Sequence, residues 1–225
     1  LRADTATEGT CVKAMTMDLR IIGGGGHARV VAEAAKLQQW VTRFVVRDGA
    51  LPADAVMEGV LLQQLMDHTC TASFICGIGS VGPQSERYLV LQKYARARFA
   101  SVCHPSATIA TSARIGLGVF VAQGAQISTD AQIDDHALIN TGAIIDHGAY
   151  IAPGAHIAPG ATLSGDVRCG AFAHIGAGAV VMQGVHLAAG VVIGAGALVT
   201  KSIDKEYSIW VGSPARFLRS YQWCI

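Results

Sequence analysis

The sequence predicts an α/β chain in two unlike parts, a small parallel α/β unit followed by a parallel β-helix of hexapeptide repeats. Three observations carry that prediction. The segment "LRIIGGGGHARVVAEAAKLQQW", 19–40, reads strand, glycine turn and helix. From Cys103 onward an aliphatic side chain returns every six positions, a period that neither a helix nor an ordinary strand has. Charge also thins out in the second part: Cys169 to Thr200 contains no Asp, Glu, Lys or Arg.

Taken in order, residues 1–17 lack an apolar core and read as a disordered leader or tag remnant, with Met15 or Met17 as the initiator. Leu19–Ile22 is an apolar run ending at Gly23, the first strand. Ala28–Gln39 carries Ala, Val and Leu at helical spacing. "TRFVVRD", 42–48, gives a second strand and "ASFICGIGS", 72–80, a third, before a helix around Gln84–Ala97. Strand and helix alternate, which argues for a parallel sheet over 18–101.

From 102 to 225 the period is six. The first hexad position runs Cys103, Ile109, Ile115, Val121 and onward to Val199, and the fifth is Ala, Val or Ile from Ala107 to Ile203. Each hexad is one short strand plus a corner, and three make a coil of 18 residues. Both positions point into a narrow triangular prism, on the order of 25 Å long at a rung spacing of about 4.8 Å. Pro214 in "VGSPAR", 211–216, lies beyond the repeat, where the last coil needs no ladder donor. The same period excludes a membrane helix over Cys169–Thr200 despite its hydropathy.

The sixth position faces outward and sorts by coil into three faces. Arg114, Gln132, Tyr150, Arg168 and His186 form a wet one. Phe120, Leu138, His156, His174 and Val192 form a second, and Thr108, Gln126, Ile144, Thr162, Val180 and Leu198 a third. The last two are too apolar to stay bare. Two different sticky faces imply a ring with heterologous contacts, hence a homotrimer. His147 takes position three, on the corner between the Ile144 and Tyr150 faces. In a trimer His147 of one chain and His156 of another line one groove.

The bulk numbers remove several classes. A formal charge of +1 offers nothing to nucleic acid or an anionic membrane, and few aromatics leave no base-stacking platform. Six scattered cysteines without a Cys-x-x-Cys pair fit a reduced, cytoplasmic protein. "GGGGHA", 23–28, with Asp48 beyond it, fits the dinucleotide fingerprint G-x-G-x-x-A. Fewer than ninety residues precede the hexads, however, too few for two mononucleotide halves. A single nucleotide diphosphate on the helix N-terminus fits better.

"IIGGGGHARVV", "INTGAIIDHGAYIAPGAHIAPGATLSGDV" and "VGSPAR" together resemble the nucleotide-sugar acetyltransferases of the sialic-acid and bacillosamine type, over roughly residues 18–216. The resemblance implies a Rossmann-like unit, a left-handed β-helix, a trimer and acetyl-CoA bound between adjacent prisms. It implies N-acetylation of the 4-amino group of a UDP-, GDP- or dTDP-linked amino-deoxy sugar in glycan precursor synthesis. By position, His147 matches the catalytic base and His156 the histidine at the acetyl-CoA end. Gly165, Ala177 and Ala195 match backbone contacts to acetyl-CoA, and Asn140 a group near the sugar amine. Gly25, Gly26 and His27 match the loop holding sugar and phosphates, Arg47 and Asp48 the pair facing base or ribose, and Gly79 a contact after the third strand.

One departure stands out within that resemblance. Relatives carry an acid directly after the base histidine, whereas this chain has Gly148. The imidazole then lacks its orienting carboxylate, so a modest dependence on His147 is expected. Other readings are O-acetylation of a sugar such as sialic acid, a nucleotide-sugar binder without catalysis, and a zinc enzyme of the β-helix carbonic anhydrase type. His156 and His174 stack eighteen apart, but no pair of histidines five apart is present and no third ligand stands near, so no metal is expected.

Overall fold

The computed structural model describes residues 17–46, 55–57, 69–79 and 86–222. The first part is a four-stranded, all-parallel sheet. Its strands are β1 (Asp18–Ile22), β2 (Val41–Val46), β3 (Ala55–Met57) and β4 (Ser73–Cys76), in the order β3-β2-β1-β4. Helix α1 (Gly26–Leu37) crosses from β1 to β2, and α2 (Glu86–Lys93) follows β4. Three differences from the sequence reading have simple causes. Strand β3 was not anticipated, because three residues are too few to show a period. Helix α1 starts two residues early, since Gly25 caps it in an extended conformation and the flexible Gly26 joins the first turn. It also stops at Leu37, where Gln38 and Gln39 turn out, Gln39 at φ 65.

Alternation along β1 feeds two cores. Leu19 and Ile21 point to α1, where they pack with Ala28, Val31, Ala32 and Ala35. Ile22 points the other way, into a cluster with Phe74, Val90, Leu91 and Tyr94 beneath α2. The chain leaves the sheet along β4: Phe74 N–H donates to Arg98 C=O and Ala100 N–H to Phe74 C=O, both at 2.9 Å. Two residues later the solenoid begins, so the two parts are joined by ladder hydrogen bonds.

From Val102 to Val199 the chain is a parallel β-solenoid of about six turns, built from two-residue strands. Every rung pairs with the residue eighteen further on, as in Leu138 with His156 and His156 with His174. First and fifth positions from Val121 and Ala125 to Val199 and Ile203 fill one continuous core. The fourth position lies at φ near +60° on almost every corner, which explains the glycines there and the Asp, His and Phe that replace some of them. After Val199 the strand Ser208–Val211 adds to the rung at Val192–Ile193 and pairs antiparallel with Arg216–Ser220. Pro214 sits in the turn between these two strands.

The three outward faces separate as the hexad register requires, but one of them is not what the sequence suggested. Phe120 and Leu138 are 2% and 1% exposed because α1 of the same chain lies on them, with Ala28, Val31 and Ala35 in one cluster. Burying two such side chains is worth roughly 1.5–3 kcal/mol each. That half of the face is therefore an intramolecular seam and not a surface waiting for a neighbour. The Ile144 face stays open, with Ile144 at 36% and Val180 at 38% exposure. Among the described residues no helix is long and apolar enough to cross a membrane.

Candidate active site

Where the sheet meets the solenoid, a cleft of about 570 Å³ opens. One wall is the β1–α1 turn, Gly23 to His27, with Gly77, Ile78 and Gly79 after β4. The other wall is Asn140 and His156 from the solenoid, and Glu86 from α2 stands at its side. The glycines here do different jobs. A Cβ on Gly77 would meet Ile21 and Ala28 at 2.7 and 2.8 Å, so this position lets α1 press against the sheet. Gly25 and Gly26 have open space where a side chain would stand, at the mouth of a helix with no side-chain cap and no acid in its first turn. Unpaired N–H groups and the positive end of the helix dipole there suit an anion.

Of the cleft histidines, His27 is half-buried and His156 buried. His27 stacks edge-on against Phe120, with ring centroids 5.5 Å apart, and the lack of a side chain at Gly79 leaves room for its ring. Burial and then the Arg87 guanidinium push its pKa down to about 4. His156 is 8% exposed and is pushed to about 2, by burial first and then by His174, Arg87 and His27. Its ring stands 4.9 Å from that of His174. Asn140 Oδ1 accepts the Thr141 N–H at 2.8 Å, which turns the amide nitrogen toward His156 Nε2 at 3.3 Å. A neutral imidazole accepting at Nε2 carries its proton on Nδ1. His156 is thus a fixed, uncharged group at the cleft wall.

His147 stands elsewhere in the same chain. It is exposed on the corner between the Ile144 and Tyr150 faces, and its ring lies over Gly165, where a Cβ would come within 2.4 Å of it. Ala177 and Ala195 stack on a third location, the exposed corner between the His156 and Ile144 faces, joined by the Gly196 N–H to Ala177 C=O bond of 2.8 Å. Of the expected site residues, then, Gly25, Gly26, His27, Gly79, Asn140 and His156 come together in one cleft. His147 with Gly165, and Ala177 with Ala195, form separate edges of the prism. Arg47 and Asp48 lie outside the described residues.

Solved structures with this architecture decide the family. PerB from Caulobacter crescentus, in complex with CoA and GDP-perosamine, matches at 32% identity and a TM-score of 0.80, over 90% of this chain and 97% of that one. The acetyltransferase domain of PglB from Neisseria gonorrhoeae, in complex with acetyl coenzyme A, matches at 31% identity and a TM-score of 0.77, over 90% and 100%. The chain belongs to the nucleotide-sugar N-acetyltransferases of the hexapeptide-repeat type. No protein-family model and no curated protein matches the sequence. WeeI from Acinetobacter baumannii, 21% identical, shares the fold at a TM-score of 0.76.

In this acetyltransferase two residues at the cleft were not singled out by the sequence. Glu86 lines the cleft, and Arg87 beside it is buried, donating to the carbonyls of Gly154 (2.6 Å) and His136. Arg87 thereby pins α2 to the solenoid and brings positive charge to the histidines. Nothing local marks it: a charged residue at a helix start reads as solvated until its partners, 67 and 49 positions away, are known. Among the described residues, no group of three or more His, Cys, Asp or Glu is placed to hold a metal ion.

Proposed function

We propose that the protein is an acetyl-CoA-dependent N-acetyltransferase acting on the 4-amino group of a UDP-, GDP- or dTDP-linked amino-deoxy sugar, in the synthesis of bacterial glycan precursors in the cytoplasm. The observation that carries the reading is the cleft itself, where an open glycine turn and uncapped helix N-terminus face Asn140 and His156 across about 570 Å³. Its likeness to PerB with CoA and GDP-perosamine supports the same chemistry. The fold that goes with it is a Rossmann-like unit, 18–101, and a left-handed β-helix, 102–225.

In this reading Gly25, Gly26 and His27 receive the diphosphate, Gly79 leaves space for His27, and Arg47 and Asp48 face the base or ribose. The sugar amine is presented beside Asn140. His147 accepts the proton as the amine attacks the thioester carbonyl. A backbone N–H near Gly165 stabilises the tetrahedral oxyanion, and CoA leaves as its thiol. Ala177 and Ala195 line the pantetheine arm, with His156 at the acetyl end.

Within one chain His147 is outside the cleft, so the reading requires a second copy to bring it there. A homotrimer does so, using the open Ile144–Val180 face and the part of the His156 face that α1 leaves uncovered. Acetyl-CoA loss, followed as free thiol with and without each of the UDP-, GDP- and dTDP-linked 4-amino sugars, tests the activity. Thiol release that no amino sugar accelerates overturns it. Light scattering tests the assembly, with three chains per particle expected and an active monomer as the result that removes the shared site.

A further inference from the structure

We propose that Asp166 is the positioning residue for His147, supplying from the next turn of the solenoid the carboxylate that Gly148 does not have. The inference rests on the reading of His147 as the base. Residues 147–148 and 165–166 are consecutive turns of one corner, joined by the Asp166 N–H bond to His147 C=O at 2.9 Å. The two pairs interlock crosswise. The His147 ring rises over Gly165, with Cε1 and Nε2 at 2.4 and 2.5 Å from where a Cβ would be. The Asp166 carboxylate comes down over Gly148, with Oδ1 2.4 Å from where that residue's Cβ would be. Imidazole and carboxylate fill adjoining notches of the same edge; no hydrogen bond or ion pair joins them in the single chain, so the pairing is made when the exposed ring turns toward the carboxylate.

The other acids at this corner are differently placed. Asp146 accepts the backbone N–H of His147 through Oδ1 at 2.7 Å, so its side chain is folded back on its own turn. Asp130 occupies the fourth position one turn below Gly148, on the side away from the ring's lean. Asp166 alone stands on the turn against which the ring rests. A carboxylate there favours the tautomer and orientation that let the other ring nitrogen take a proton, and it stabilises the imidazolium that results.

Positions 148 and 166 also share one notch, so an acid fits at either and not at both. The backbone does not forbid the exchange. Asp130 and Asp166 themselves adopt φ of 57 and 59, close to the 64 of Gly148. Gly148→Asp alone therefore meets the Asp166 carboxylate sterically and by charge, whereas Gly148→Asp with Asp166→Gly moves the acid one turn down.

The test is kcat/KM against pH, with acetyl-CoA and whichever of the UDP-, GDP- and dTDP-linked 4-amino sugars turns over fastest. Asp166→Asn, which preserves shape, should lose about tenfold in kcat at neutral pH with KM for both substrates held, a fraction of the roughly 10²–10⁴-fold that a general base is worth. Gly148→Asp/Asp166→Gly should recover most of what Asp166→Gly loses. A wild-type profile in Asp166→Asn, an equal drop when His147 is already Ala, or no recovery in the exchange overturns the role of Asp166 alone. Full activity in His147→Ala overturns the base reading, and this inference with it.

Discussion

The chain keeps two kinds of histidine, and the contrast between them separates holding from reacting. His27 is half-buried and His156 buried where the sheet meets the solenoid, and burial with Arg87 nearby pushes both toward the neutral form. Such groups give fixed hydrogen-bond geometry and add no charge of their own to the site. His147 is exposed in the single chain, on a prism edge built only from neighbouring hexads. A binding wall benefits from dryness, while a base benefits from ready exchange and needs something else to steady it.

The sharpest way to break the contrast is His147→Ala. Removing a general base costs roughly 10²–10⁴-fold in rate, and with Asp166 in the positioning role proposed above the loss should fall inside that range, above the modest effect that Gly148 suggests by itself. Affinities for sugar nucleotide and acetyl-CoA, measured by calorimetry, should hold. A variant that loses binding and not rate would place His147 with the wall residues.

A smaller effect is expected at the glycine turn. Gly25 has φ −77 and ψ −173, which valine tolerates, and the added side chain would enter open space at the helix mouth. Gly25→Val should weaken sugar-nucleotide binding by about 10–100-fold, as loss of hydrogen bonds to a charged group does, while acetyl-CoA affinity is untouched. Equal loss of both would show that the turn supports the fold and not the phosphates.

The last effect is on acid stability and leaves activity at neutral pH untouched. His27 and His156 have folded pKa values of about 4 and about 2, below the usual 6.5. The unfolded chain therefore binds protons that the native one refuses, and stability is lost as pH falls below 6.5. For His27 the loss continues to about pH 4. Each histidine contributes at most ~1.4 kcal/mol per pH unit. Thermal melts from pH 7 to 4.5 should show the decline, with His156→Gln flattening it.

Much of this molecule could be read along one dimension. A hexad is a local rule, so the coil of eighteen, the inward aliphatics and the sorting of outward residues into three faces follow from counting positions, and the rungs pair as counted. The glycine turn after β1 and its helix were equally legible, because strand, turn and helix adjoin in sequence. What counting could not reach was what covers each face. That α1 lies on Phe120 and Leu138, that Arg87 reaches carbonyls 67 and 49 residues away, and that Glu86 joins the cleft all depend on how the sheet docks on the prism. Position 148 likewise could not be read from its neighbours in sequence, because the carboxylate that lies over it comes from eighteen residues on. Periodicity determines the direction in which a side chain points; only packing between distant segments decides what it meets there, because that choice is made by surfaces brought together after each has formed.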